Sequence, residues 1–249
     1  VKHKKSLVCM VNLFFLLSFH KKQKKMIKLV IFDLDGTLWD ASEPVTKIWN
    51  QILQREPEAE GKTVTLEQIG SFMGKTLEQI AAELFPDKEE EVRIRLLRTC
   101  CEEECGILQQ TGARLYPGVP ETLEQLSQIY ALFVVSNCQK GYIEAFLQAH
   151  GLRSLFQDWE CSGRTGCTKG ENIRRVVERN GIKKAIYVGD TQWDGEAANE
   201  AGLPFVYASY GFGNVPQASW QLSAFSALPV LAGRLLKEEI VSKEKEEVT

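Results

Sequence analysis

Two hydrophobic patterns alternate along this chain. The first is a short, unbroken apolar run: Ile27 and Leu29 to Phe32, Ala131 to Val135, Ala185 to Val188, and Pro204 to Ala208. Runs of this length and type read as strands buried on both faces of a parallel sheet. Trp159 to Cys161 is a shorter candidate. The second pattern places apolar residues at helical spacing over 121–129, 139–149, 170–180 and 195–201, with stops near Gly151, Gly181 and Gly202. Pro120 suits the first turn of its helix, after the Tyr116-Pro117-Gly118 turn. Strand and helix in alternation predict an α/β fold, a Rossmann-like parallel sheet with helices on both faces.

Residues 41–115 break the alternation. They are rich in Glu, Gln, Lys, Leu and Ile, with no convincing strand. Ile48, Trp49, Ile52 and Leu53 form one apolar stripe. Thr65 with Gln68, and Thr76 with Gln79, each precede an LEQI string in the pattern of a capping box. Asp87 to Cys105 reads as a charged helix with Val92, Leu96 and Leu97 buried. The segment predicts an all-helical subdomain inserted after the first strand. The α/β core then comprises 26–40 and 116–236, and 237–249 is a charged tail.

Residues 1–25 stand apart. Lysines flank the apolar run Leu7 to Phe19. The run resembles a signal-peptide core but is short for a membrane span, and lysines follow it where a cleavage site would lie. A signal peptide, a membrane-surface anchor and an upstream start are all open readings. The preferred expectation is that Met26 is the initiator.

Composition narrows the function classes. The chain has 249 residues, 44% hydrophobic and 25% charged, as in ordinary globular proteins. A net charge of −3 gives no support for a broad nucleic-acid surface. Seven cysteines without a CxxC pair, and three histidines, fit neither a disulfide framework nor a zinc site. Reduced thiols in a cytoplasmic protein are expected, with no membrane contact for the core. Cys138 is read as a small buried residue.

The candidate chemistry lies at strand ends, where open parallel sheets place their working groups. The first strand runs into Asp33-Leu34-Asp35-Gly36-Thr37. Two carboxylates this close call for a cation or a shared proton. One can act as a nucleophile beside Mg2+ while the other moves a proton. After the second run come Ser136 and Asn137, whose hydroxyl, amide and free backbone N–H groups suit phosphate oxygens. Lys169 precedes a helix and can balance charge in a transition state. Asp190 follows the Ala185 run, and Asp194 is placed to face the same cation or to cap the next helix.

The ordered set DLDGT, SN, K and GDTQWD resembles the four-motif signature of the haloacid dehalogenase-like superfamily, over about residues 26–236. The helical insert is similar to the cap of its phosphoglycolate phosphatase-like branch. By that resemblance Asp33 is a nucleophile forming an aspartyl-phosphate. Asp35 protonates the leaving group and activates water. Ser136 and Asn137 bind the phosphoryl group, and Lys169 stabilises it. Asp33, the Asp35 carbonyl and Asp190 hold Mg2+, with Asp194 in support. Gly170 follows Lys169 where many members have proline, which predicts a looser loop. Trp193 is larger than usual and is expected against the cap or in the core. The second aspartate argues for phosphoryl rather than carbon–halogen chemistry.

These readings predict a Mg2+-dependent phosphatase acting on a small phosphorylated metabolite. The alternatives are a sugar phosphomutase of the same branch and a non-catalytic binding protein. Phe72, Met73, Gly74 and Lys75 are candidate readers of the leaving group, with Lys75 a possible partner for a carboxylate. Neither the substrate nor the oligomeric state is legible in the chain.

Overall fold

The computed structural model describes residues 28–237. The expectations for residues 1–25, Met26 as initiator, Ile27 and the tail beyond Lys237 lie outside the described residues.

Six parallel strands form the central sheet: β1 (Lys28–Phe32), β4 (Ala131–Ser136), β5 (Phe156–Cys161), β6 (Lys184–Gly189), β7 (Phe205–Ala208) and β8 (Gln221–Leu222). Their order is β5-β4-β1-β6-β7-β8. Side chains alternate across a strand, so β1 feeds two cores. Leu29 and Ile31 pack with Ile173, Val176, Ala197 and Ala198, from helices Lys169–Arg179 and Gln192–Glu200. Val30 and Phe32 face the opposite layer, with helices Val119–Ser127, Tyr142–Ala149 and Leu228–Leu235. The chain runs outward from β1 to β4 and β5, then crosses back to β6. The reversal opens a crevice beside the carboxyl end of β1, where ligands of such sheets bind.

Between Asp40 and Arg114 lie four α-helices: Ser42–Arg55, Leu66–Phe72, Leu77–Leu84 and Glu90–Thr111. Thr65 and Thr76 close the expected capping boxes. Both crossings into this helical insert run side by side. β2 (Trp39–Asp40) pairs antiparallel with β3 (Arg114–Leu115), and the Arg114 guanidinium meets Asp40 at 2.6 Å. These two-residue strands are too short to leave a periodic signal in the sequence.

Several boundaries differ from expectation, each for a local reason. The 170–180 helix begins at Lys169 because Thr168 and Glu171 form a capping box. The 195–201 helix begins at Gln192 because Thr191 and Asp194 form another. The 139–149 helix begins only at Tyr142, because Gly141 has φ +98°, outside helical space. Residues 139–141 are thereby left free to reach the insert. The charged helix continues past Cys105 to Thr111 and stops before Gly112, φ +65°.

Candidate active site

Register alone brings the first acids together. Phe32 pairs with Val134 on one side and Val188 on the other. Asp33 then donates its backbone N–H to the Val188 carbonyl at 2.8 Å, level with the ends of β4 and β6. Gly36 takes φ +78° to turn the chain, and a Cβ there would overlap the Asp190 carboxylate. The turn leaves Asp35 below the insert, where its Oδ1 accepts a 3.0 Å hydrogen bond from the Tyr142 hydroxyl.

Lys169 is carried in by the first turn of its helix and is buried. Its Nζ lies 2.7 Å from Asp194 Oδ1 and 3.0 Å from Asp33 Oδ1. The contact with Asp33 is ionic but lacks hydrogen-bond geometry, so Asp33 Oδ1 is buried with no hydrogen-bond donor. Burial opposes the Lys169 charge, but Asp194 and Asp33 outweigh it and hold its pKa above the ordinary lysine value. Asp194 is heavily engaged. Its Oδ1 accepts from Lys169 and from the Tyr187 hydroxyl at 3.3 Å. Its Oδ2 accepts from Thr191 N at 2.9 Å, Thr191 Oγ1 at 2.7 Å and Asp190 N at 3.2 Å. The helix cap and the charge anchor are therefore the same carboxylate.

Asp190 is fully buried at the end of β6. Its Oδ2 accepts from Phe212 N at 2.8 Å, and Thr37 Oγ1 lies 3.4 Å from its Oδ1. Glycines flank Phe212 because this loop lies directly on the acid: a Cβ at Gly211 or Gly213 would collide with Asp190. Asp33, Asp190 and Asp194 each present a carboxylate oxygen within 4.8 Å of the others. Burial, then Asp194, raises Asp33 to about 6 despite Lys169. Burial, then Asp194 and Asp33, raises Asp190 to about 8. Three carboxylates face one ammonium, so negative charge is left over. An all-oxygen, buried and undercompensated set of this kind fits a small hard cation.

Ser136 is buried at the end of β4 and lines the cavity above Asp33 and Asp35. Asn137 is tied down on both ends: its amide N donates to the Gly74 carbonyl at 2.8 Å, and its Oδ1 accepts from Ser162 at 2.8 Å. The structure thus gathers Asp33, Asp190, Asp194 and Lys169 into one cluster. Asp35 and Ser136 line the adjoining cavity. The Asn137 side chain is engaged with the insert.

Residues 30–208 match the family model for haloacid dehalogenase-like hydrolases. That span covers most of the chain and every residue of the cluster. The chain belongs to the haloacid dehalogenase-like hydrolase family. Phosphoglycolate phosphatase of Rhodobacter capsulatus is 30% identical over 215 residues, 82% of this chain and 96% of that protein. The Synechococcus elongatus enzyme of the same name is 34% identical over 192 residues, 75% of this chain and 85% of that one. The crystal structure of a predicted phosphatase from Clostridium acetobutylicum superposes with a TM-score of 0.68 at 25% identity, covering 85% of this chain and 99% of that one. The protein is a phosphoric monoester hydrolase.

The insert of this hydrolase closes over the cluster as a cap. Gly74, φ +82°, lies against the Trp193 ring as well as under Asn137. Trp193 therefore meets the cap and remains 41% exposed, rather than filling the core. Gly170 does not loosen a loop: it is buried in the first helical turn, and a Cβ there would overlap Glu200. Among the described residues no helix is long and apolar enough to cross a membrane, and six cysteines are free thiols. Sequence reasoning assigned no role to Tyr142, Tyr187, Thr37, Glu104 or the Gly-rich loop at Gly211 and Gly213. The Gly-x-Gly pair at 211–213 was a usable signal for close backbone approach. Glu104, Tyr142 and Tyr187 are single residues on ordinary helices or a strand, with no local mark, whereas Thr37 lies in the turn of the DLDGT string itself.

Proposed function

We propose that this protein is a Mg2+-dependent phosphatase that hydrolyses a small phosphorylated metabolite through an aspartyl-phosphate on Asp33. The observation that carries the reading is the buried cluster of Asp33, Asp190 and Asp194 around Lys169, with excess negative charge at the sheet's carboxyl edge. Asp33, the Asp35 backbone carbonyl and Asp190 would hold Mg2+. Asp194 would act from behind, since its oxygens already accept from Lys169, Tyr187 and Thr191. Bound there, Mg2+ would supply positive charge that lets a carboxylate approach a phosphate dianion.

The chain's own groups divide the remaining work. The Asp33 carboxylate attacks phosphorus as the bond to the leaving oxygen breaks. Lys169, held charged by its two acids, balances the charge that builds on the phosphoryl oxygens. Burial and the neighbouring Asp33 raise Asp35 well above the usual carboxylate range, so it carries a proton to give to the leaving oxygen. Asp35 then takes a proton from the water that attacks the phosphoryl-aspartate, regenerating Asp33. Ser136 Oγ and the backbone N–H groups beside it bind phosphoryl oxygens. The Asn137 side chain contributes by holding the Gly74 loop shut. Closure excludes bulk water while the intermediate lives. The free thiols suit a reducing cytoplasmic setting.

Phosphate release from a panel of phosphomonoesters with Mg2+ tests the reading, together with acid-quench trapping of phosphorylated protein. Wild type is expected to release inorganic phosphate and to show label on Asp33. Conversion of a sugar phosphate to its isomer, with no free phosphate, would replace hydrolysis by mutase chemistry. No phosphate from any ester would leave a non-catalytic binding protein.

A further inference from the structure

The cavity over the cluster has two unlike ends. Its core end carries Asp33, Asp35 and Ser136. Its cap end is walled by Val45, Trp49, Phe72, Met73, Leu77 and Ile80. The space is about 640 Å³ with its open mouth included. The leaving group of a phosphomonoester held at Asp33 must project toward this apolar wall.

The charges lining the cavity point the same way. The one cation among its described lining residues is Lys75, and its ammonium is paired with Glu83 and lies 5.5 Å over the Phe72 ring. The cap contributes an acid instead. Glu104 sits on helix Glu90–Thr111, is 3% exposed and lines the cavity. One oxygen accepts from the Trp49 indole N–H and the other from Gln139 Nε2 at 2.9 Å. No ion pair to Glu104 occurs among the described residues, and burial pushes it up to about 7.

We propose that the cap end selects phosphomonoesters with an uncharged, apolar leaving group, and that Glu104 rejects short carboxylates such as glycolate. The inference rests on the phosphatase reading above and goes against the substrate named for the curated relatives. A carboxylate in this space would meet a buried like charge and a wall whose side-chain donors, the Trp49 indole N–H and the Lys75 ammonium, are already paired with Glu104 and Glu83, and such juxtaposition is costly at low dielectric. An alkyl group would instead gain contact with the six apolar side chains.

Isobutyl phosphate and phosphoglycolate make the test, because their leaving groups have nearly the same shape and differ in charge. With the Mg2+ holoenzyme at pH 8, kcat/KM is expected to favour isobutyl phosphate by about tenfold or more. Glu104→Gln is expected to raise kcat/KM for phosphoglycolate relative to isobutyl phosphate several-fold. A wild-type preference for phosphoglycolate overturns the inference while phosphatase activity stands. Preference for phosphoethanolamine over isobutyl phosphate, by a similar factor, overturns it in favour of a cation subsite at Glu104. Should neither these esters nor a wider panel release phosphate, the hydrolase reading itself falls, and the inference with it. The wild-type comparison stands alone if the variant misfolds.

Discussion

Replacing Glu104 with glutamine should change the pH dependence of stability in a calculable way. Burial raises the Glu104 carboxyl from 4.5 to about 7, against the lowering effect of the Trp49 and Gln139 hydrogen bonds. The folded protein then holds a proton that the unfolded chain gives up near pH 4.5. Stability from this group is highest below pH 4.5, falls as pH rises, and is fully lost above about pH 7. Integrated from pH 5 to pH 8, the loss is about 2.5 kcal/mol. Glutamine has no such titration. It also has one acceptor oxygen where the carboxylate has two, so one of the two donors loses its partner, at about 1–3 kcal/mol. That cost is the same at every pH and cancels when the variant is compared with wild type at two pH values. Urea unfolding of the metal-free proteins at pH 5 and pH 8 is the assay. The difference in unfolding free energy between variant and wild type should move by about 2.5 kcal/mol in the variant's favour on going to pH 8. A change below about 0.5 kcal/mol would refute the claim that Glu104 is buried without adequate compensation.

Four further outcomes are expected. Asp33→Asn should lower kcat by at least about a thousandfold while circular dichroism stays native, and near-normal turnover would remove Asp33 as nucleophile. Chelation should abolish phosphate release and added Mg2+ should restore it. Independently of turnover, saturating Mg2+ at a hundred times its Kd should raise stability by about 2.7 kcal/mol, seen as a higher Tm, and an unchanged Tm would argue against the cluster as the metal site. Gly36→Ala should cost about 1–3 kcal/mol through its left-handed φ and displace Asp190, so that the Mg2+ concentration for half activity rises; unaltered metal dependence would contradict the packing. Asn137→Ala should raise KM more than it lowers kcat, because it frees the Gly74 loop rather than the reacting atoms; an equal fall in kcat and kcat/KM would assign Asn137 to the transition state instead.

Much of this molecule was written locally. The apolar runs ending in Asp33, Ser136 and Asp190 specify buried strands, and a parallel strand that ends in a polar group delivers that group to one rim of the sheet. The Thr65 and Thr76 capping boxes are local as well, since a side chain and the backbone three residues on decide them. Thr168 with Glu171, and Thr191 with Asp194, follow the same rule. What the sequence could not decide was long-range. Lys169 and Asp33 meet only because strand order puts β4 and β6 on either side of β1. Glu104 reads as one more charge on a charged helix, and it becomes a cavity wall only when that helix packs over Gln139. Trp193 meets Gly74 only because the cap folds back across two paired strands of two residues each. Periodicity records which face of an element is buried. It carries nothing about which distant element covers that face, and on that pairing the charge balance and selectivity of the site depend.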